Sequence, residues 1–258
     1  MVREWITLLY LAHHRFRGNG SYRRFQVYQG CLVLDYLIEQ GVNVQNTRVL
    51  DLGCGNGGYS YVMASAGARV TSVDLRVHRN VASHVSLRLP GRMQVPALSR
   101  AMRRPQVSPG FVLANAVQLP FDSNCFPVVF CASLIEHVAD HARLLAEIKR
   151  VLIPGGVAYL SFPPFYSPVG GHQFKPFHLL GERWALRLSR HRAGGTESSY
   201  ADWGLYPLTV RRARQLFAEA KLEIRHESTR FLPLNVARLP VLGELLAWHV
   251  QFILCAGG

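Results

Sequence analysis

Short apolar, β-branched runs alternate with amphipathic stretches along the chain. The runs predict strands at residues 47–52, 69–74, 111–115, 127–132, 156–162 and 222–229. The stretches between them predict helices at 22–40, 57–66, 140–152 and 208–220. Because this alternation is typical of βαβ units, we expect an α/β fold with a doubly wound, mostly parallel sheet and helices on both faces.

Two segments interrupt the alternation. Residues 75–110 contain seven arginines and no acid, and residues 163–207 are rich in Pro, Gly, His and aromatic residues. Such segments are typical of insertions and lids. The length of 258 residues fits one domain. We predict an N-terminal helical cap (1–46), a core (47–162) with an Arg-rich insertion (75–110), a substrate lid (163–207), and a C-terminal helix, strand and apolar tail (208–258).

Composition narrows the class of protein. Apolar residues make up 49% of the chain and charged residues 17%, so a sizeable core can be buried. Lys plus Arg number 29 against 16 Asp plus Glu, and the net charge of +13 favours anionic partners. Five scattered cysteines without a C-x-x-C pair suggest neither a disulfide framework nor a thiolate zinc site. We expect a cytoplasmic protein without a membrane-spanning segment.

A glycine-rich turn follows the first predicted strand, in VLDLGCGNGGYS at residues 49–60. Gly53, Gly55 and Gly58 satisfy G-x-G-x-x-G, and Asp74 ends the second strand, where a carboxylate can bind ribose hydroxyls. This pattern fits NAD as well as S-adenosylmethionine (SAM). Asp51 favours SAM, because a carboxylate would repel a pyrophosphate but attract an ammonium and a sulfonium.

Four segments extend this pattern in order. They are VLDLGCGNG (49–57), TSVDL (71–75), ANAVQLPFDSNCF (114–126) running into SLIEHVAD (133–140), and LLAEIKRVLIPGGVAYLSFP (144–163). Over these residues the chain resembles the class I SAM-dependent methyltransferases, which have a Rossmann-like fold, and within them the branch of small-molecule and quinone methylases. The resemblance implies SAM as cofactor and methyl transfer to an O, N or C nucleophile of a small or lipid-linked acceptor.

The resemblance also implies which residues bind the cofactor. The methionine part is assigned to Asp51, Gly53, Gly55 and Gly57, the ribose to Asp74 with Leu75 beside it, the adenine to Asn115 and Ala116, and the border of the sulfonium to Ser133. The chain departs from the family at Asn115, which replaces an acid. Its amide carbonyl can still accept a hydrogen bond.

Three histidines are the candidate catalytic residues. Imidazole exchanges a proton near neutral pH, so His137, His172 or His178 is predicted to act as base if the acceptor is a hydroxyl. We favour His137, which directly follows the fourth strand, although a histidine there can also pack and bond a backbone carbonyl. His137 and His141 lie at i and i+4 without a third ligand, so no metal site is predicted.

Other functions stay open at this point. An RNA methyltransferase would use the positive charge, but no separate RNA-binding module is evident, so nucleic acid is a less favoured partner. A SAM-binding protein without catalytic activity also fits. Residues 231–256, apolar beside Arg230 and Arg238, are typical of peripheral contact with the inner face of a membrane. A strand or helix packed on the sheet explains them equally well.

Overall fold

The computed structural model describes residues 19–76, 109–193, 198–230 and 235–257. Most of the predicted Arg-rich insertion, the first 18 residues and residues 231–234 therefore lie outside the described part of the chain. Two compact units divide the chain, Met1–Phe130 and Cys131–Gly258. In the described ranges, no helix combines the length and the apolar character needed to cross a bilayer.

Among its described residues, the first unit contains a parallel part of the sheet and two helices. Its elements are α1 (Asn19–Glu39), β1 (Arg48–Leu52), α2 (Gly58–Ser65), β2 (Arg69–Asp74), β3 (Gly110–Leu113) and the larger part of β4 (Phe126–Ala132). β1 pairs in parallel with β2, and β2 pairs in parallel with β3. Every residue of α2 is buried, and accordingly its sequence contains no charged residue.

The second unit contains the remaining elements. They are α3 (His141–Val151), β5 (Leu152–Phe162), α4 (Glu182–Ala193), α5 (Val210–Glu219), β6 (Leu222–Arg230), the single turn α6 (Leu242–Leu245) and β7 (His249–Ala256). The Asp140 side chain caps α3 by accepting a bond from Arg143 N–H. The Thr209 side chain caps α5 in the same way.

The described strands form one seven-stranded sheet in the order β3-β2-β1-β4-β5-β7-β6. β7 lies between β5 and β6 and is antiparallel to both. The predicted α/β class with a mostly parallel sheet is confirmed. Residues 249–256, assigned above to an apolar tail, are a strand in which Phe252 and Ile253 are fully buried. Pairing on both sides satisfies the backbone of this strand and buries its apolar run.

The boundaries of β5 differ from the prediction. The strand begins at Leu152, although Pro154, Gly155 and Gly156 predict a break at this point. Pairing with β7 begins only at Val157, so the first residues of β5 lie outside that pairing, and Gly155 among them has a φ of 72°. The proline, which has no N–H to donate, is therefore accommodated.

The predicted lid segment has an apolar core of its own. Short 3₁₀ turns at His172–Phe174, Phe177–Leu180 and Ala201–Trp203 accompany α4. The buried cluster consists of Phe165, Phe174, Ala185, Tyr200 and Leu205, with Phe177, Leu186 and Trp203 packed against it. The segment is thus a packed part of the second unit, and its role as a lid stays a prediction.

Candidate cofactor and acceptor sites

The glycine turn after β1 is held by β2. Gly53, Gly55 and Gly57 all adopt positive φ, at 68°, 53° and 73°, which glycine tolerates without strain. The N–H groups of Gly53 and Cys54 both donate to the carbonyl of Val73, at 2.8 and 3.1 Å. The turn is therefore fixed against the end of the neighbouring strand.

A close approach of α1 explains Gly58. A Cβ at this position would lie 2.4 Å from Cβ of Gln26 and 3.0 Å from the backbone nitrogen of Val27. At Gly55, by contrast, the nearest atom to such a Cβ is Nε2 of Gln26 at 3.5 Å. The helices meet tightly beside Gly58, whereas Gly55 makes only an ordinary contact with α1.

Asp51 is buried and belongs to a serine network. The Ser60 hydroxyl donates to Asp51 Oδ2, and the Ser72 hydroxyl lies 2.8 Å from that of Ser60. Burial raises the pKa of Asp51 to about 7; the Ser60 bond opposes this shift, and the nearby charge of Asp74 adds to it. The two serines were not predicted, because a small polar residue in a helix or strand carries no distinctive sequence signal.

Asp74 closes the turn from the second strand. Its Oδ2 accepts the Gly55 N–H at 2.9 Å, and its Oδ1 accepts the Arg76 N–H at 3.1 Å. Each carboxylate oxygen has a further lone pair that can accept a bond from a ribose hydroxyl. Leu75, the next residue, is 66% exposed.

The predicted adenine residues follow β3, at the same sheet edge. Ala114 N–H donates to the carbonyl of Asp74 at 3.1 Å, which ties this segment to β2. Asn115 is exposed, and its Oδ1 accepts the Val117 N–H at 3.1 Å, while Ala116 is buried. The carboxyl ends of β1, β2 and β3 thus gather the predicted cofactor residues of the first unit, as expected where a parallel sheet binds a ligand.

These residues fit SAM. Two carboxylates suit a ligand with an ammonium, a sulfonium and a ribose, and both lie next to the glycine turn. Asp51 and Asp74 would bind its methionine and ribose parts. No phosphate-binding cation is among the described residues of the turn.

The second unit holds the remaining candidates. Ser133 follows β4 with a φ of 53°, and its N–H donates to the carbonyl of Ser161 at 2.8 Å. His137 and His172 lie with ring centroids 4.8 Å apart and planes at 74°. The structure therefore brings together two of the three predicted histidines.

Glu136 joins this pair and was not predicted. Its side chain is 2% exposed, and within the described residues neither carboxyl oxygen has a hydrogen-bond partner. Burial raises the pKa of Glu136 to about 8. Glu136, His137 and His172 each place a potential ligand atom within 4.8 Å of the other two. The sequence signal that could have found it is an acidic residue in a short segment, residues 134–138, that directly precedes α3.

His178 lies apart from this cluster. Its ring is 1% exposed, packs 5.4 Å from the Phe165 ring, and places Nε2 3.2 Å from the carbonyl oxygen of Ser167. Burial lowers the pKa of His178. These contacts are typical of a histidine that packs in a core, and its catalytic role stays a prediction.

Comparison with known sequences shows which proteins the chain resembles. Residues 50–160 match the sequence profile of a family described as a methyltransferase domain. An uncharacterized methyltransferase of Mycobacteroides abscessus is 28% identical over 172 residues, 67% of this chain and 61% of that protein. One of Mycobacterium ulcerans is 29% identical over 224 residues, 85% of this chain and 80% of that protein. The chain spans about 60% of the length of the first of these relatives.

Solved structures agree on the fold. A SAM-dependent methyltransferase of Mesorhizobium loti is 20% identical, with a TM-score of 0.55 over 86% of this chain and 96% of that one. Magnesium protoporphyrin IX methyltransferase of Synechocystis, solved with S-adenosylhomocysteine (SAH) bound, is 16% identical, with a TM-score of 0.53 over 93% and 88%. The fold is that of the class I SAM-dependent methyltransferases. Residues 50–160 are thus similar in sequence to a methyltransferase domain, and the fold is similar to that of SAM-dependent methyltransferases.

Proposed function

We propose that the protein transfers the methyl group of SAM to an O, N or C nucleophile of a small or lipid-linked acceptor. The observation that carries the proposal is the glycine turn, with Asp51 and Asp74 at the carboxyl ends of adjacent strands. SAM supplies a methyl group already activated on a sulfonium. The acceptor forms the new bond to carbon, the carbon–sulfur bond breaks with its electron pair left on sulfur, and a hydroxyl or amine acceptor loses a proton.

His137 is the histidine on which acceptor activation should depend. Its Nδ1 lies 2.8 Å from the carbonyl oxygen of Gly204, an acceptor, so the ring donates through Nδ1. In the neutral ring Nε2 then carries a lone pair. The mechanism needs alignment of the acceptor and removal of its proton, and this lone pair supports the second requirement.

The identity of the acceptor can be tested with the purified chain. Radiolabelled SAM is incubated with polar-metabolite, lipid and RNA fractions, and Asp74→Ala serves as the control that should weaken SAM binding. Label in the polar or lipid fraction supports the proposal. Label in RNA indicates an RNA methyltransferase, and SAM binding without transfer to any fraction indicates a non-catalytic protein.

A lipid-linked acceptor is supported by an apolar surface in the second unit. The segment 239–248 exposes six large apolar residues, each by at least 36%: Leu239, Val241, Leu242, Leu245, Leu246 and Trp248. Glu244 accepts the N–H groups of Val210 and Arg211, so the acid of this segment caps α5. Arg230, expected beside the membrane, is buried near Ser161 instead. We propose that 239–248 contacts an anionic membrane.

Co-sedimentation with anionic vesicles tests the membrane contact. The variant Leu242→Ser/Leu245→Ser/Leu246→Ser should lose binding that the original chain shows. Ile38→Ser/Ile224→Ser changes exposed residues elsewhere and should bind like the original. Absence of binding at both low and high salt, or equal binding by both variants, contradicts the proposal.

A further inference from the structure

The cluster of Glu136, His137 and His172 lies within the second unit and is built from two separate turns. Glu136 and His137 belong to the 3₁₀ turn Ile135–His137, directly after β4. His172 begins the turn His172–Phe174, after β5. One carboxylate oxygen and two imidazole nitrogens thus lie within 4.8 Å of one another.

The orientation of His137 is fixed by the backbone. Its Nδ1 donates to the carbonyl of Gly204 at 2.8 Å. The segment that carries this carbonyl is itself held to the cluster, because Tyr206 N–H donates to the carbonyl of Glu136 at 2.8 Å. Histidines that ligate metals typically donate their other ring N–H to a carbonyl or carboxylate, which points the remaining lone pair at the metal.

The Glu136 carboxyl is the second, independent observation. It is almost fully buried and lies beside two imidazoles, yet neither of its oxygens has a hydrogen-bond partner in the described ranges. A buried polar group without a partner is costly, and a buried carboxylate is tolerated when it is paired or coordinates a cation. A bound cation would supply the missing partner.

The donor set determines the kind of cation. Mg²⁺ and Ca²⁺ prefer oxygen ligands, whereas two imidazoles with one carboxylate suit zinc or another divalent transition metal. Three protein ligands leave a coordination position open. Ligand atoms around tetrahedral zinc lie about 3.4 Å apart, so separations of up to 4.8 Å have to shorten by as much as about 1.4 Å. Because the His137 ring is held by the Gly204 carbonyl, this contraction has to come from Glu136 and the half-buried His172.

We propose that Glu136, His137 and His172 bind one divalent transition-metal ion, whose open position takes an oxygen of the methyl acceptor. The second half of this proposal rests on the proposed function. A metal ion lowers the pKa of a bound hydroxyl, so the acceptor releases its proton to solvent. His137 then activates the acceptor as a ligand of the ion. The oxygen attacks carbon, and sulfur leaves with the electron pair of the broken bond.

Metal binding is measured without reference to activity. The full chain is freed of metal with a chelator, and Zn²⁺ binding is followed by equilibrium dialysis. Co²⁺ is then used as a spectroscopic probe, because its visible absorption reports nitrogen and oxygen ligands. We expect one ion per chain. Glu136→Gln, His137→Ala and His172→Ala should each weaken binding at least about tenfold.

His226→Ala is the matched control, since His226 lies on β6, outside the cluster, and it should bind like the original chain. SAM binding by calorimetry confirms that each variant is folded. If Glu136→Gln does not fold, His172→Ala in the half-buried turn carries the test. Metal binding that is absent, or that survives His172→Ala unchanged, overturns the inference. A chain that binds the metal but transfers no methyl group instead contradicts the proposed function.

Discussion

The glycine turn of the first unit and the histidine cluster of the second are built in opposite ways. The turn is nearly all backbone, with the polar groups described there already paired: Asp51 with Ser60, and Asp74 with Gly55 and Arg76. The cluster is all side chain, and it contains a buried carboxyl without a partner among the described residues. The turn thus has the properties expected of a preformed binding site, whereas the cluster lacks a partner for its buried carboxyl among the described residues.

The two regions differ in whether the free-energy cost of forming the site is offset by folding or by a bound ligand. In the turn, folding has already fixed the backbone, so a ligand meets groups held in place by their own hydrogen bonds. In the cluster, burial of Glu136 destabilises the folded chain, and only a bound partner would offset this desolvation cost. Four predictions test this comparison.

The largest expected effect concerns Asp51. Because burial raises its pKa to about 7, the folded chain keeps a proton between about pH 4 and 7 that the unfolded chain has released. The free energy of unfolding therefore falls as pH rises through this window. Asp51→Asn removes this titration. The free energy of unfolding of the variant, relative to that of the original chain, should therefore rise by roughly 3 kcal/mol between about pH 4.5 and pH 8. Urea unfolding of both chains at the two pH values measures this change. An equal difference between the chains at both pH values would contradict the prediction.

The next effect separates the two regions. His137→Ala should lower turnover by about 100-fold or more, whereas SAM affinity hardly changes, because the residue lies outside the glycine turn. Turnover with saturating SAM and calorimetry with SAM provide the two measurements. A parallel loss of SAM affinity would mean that the regions are not functionally separate.

Asp74→Ala should have the converse effect. Loss of charge-assisted bonds to two ribose hydroxyls should weaken SAM binding by about 1.5 to 3 kcal/mol, without unfolding the chain. Asp74→Asn sharpens this test, since its amide oxygen can still accept the Gly55 N–H. We expect intermediate affinity for it in calorimetry. If both variants bind SAM like the original, Asp74 is not a ribose ligand.

The smallest effect concerns the helix contact behind the turn. Gly58→Ala places a methyl group against Gln26 and the backbone of Val27, and should cost about 1 to 3 kcal/mol of stability. Gly110→Ala is the control, because its Cβ would meet only the Val70 carbonyl oxygen at an ordinary 3.7 Å. Thermal unfolding compares the two, and equal midpoints would show that α1 yields at this contact.

The sequence predicted the first region far better than the second. β2 was predicted residue for residue, and the turn was recognised because its glycines and Asp74 form a local pattern with one physical cause. Glu136 and the Gly204 carbonyl were missed. They meet His137 and His172 only through folding, and a backbone carbonyl has no sequence signal at all.

For a related reason, the sequence left the C-terminal apolar run undecided between a packed strand or helix and a membrane contact. An apolar run of this length suits a strand buried on both faces, a packed helix or an interfacial helix, and periodicity does not decide among them. Its antiparallel place between β5 and β6 depends on partners that lie far away in the chain.

That placement sets an order for synthesis. β5 is made roughly 90 residues before β7, and at about 5 to 20 residues per second its edge waits several seconds for its neighbour. β6 is synthesised before β7, and it also cannot take its final position until β7 has been made. A nascent chain of this protein thus exposes an apolar strand edge during translation, which is the situation in which strands pair wrongly with other chains. Chaperones that bind nascent chains should therefore affect the yield of folded protein more than the stability of the folded state.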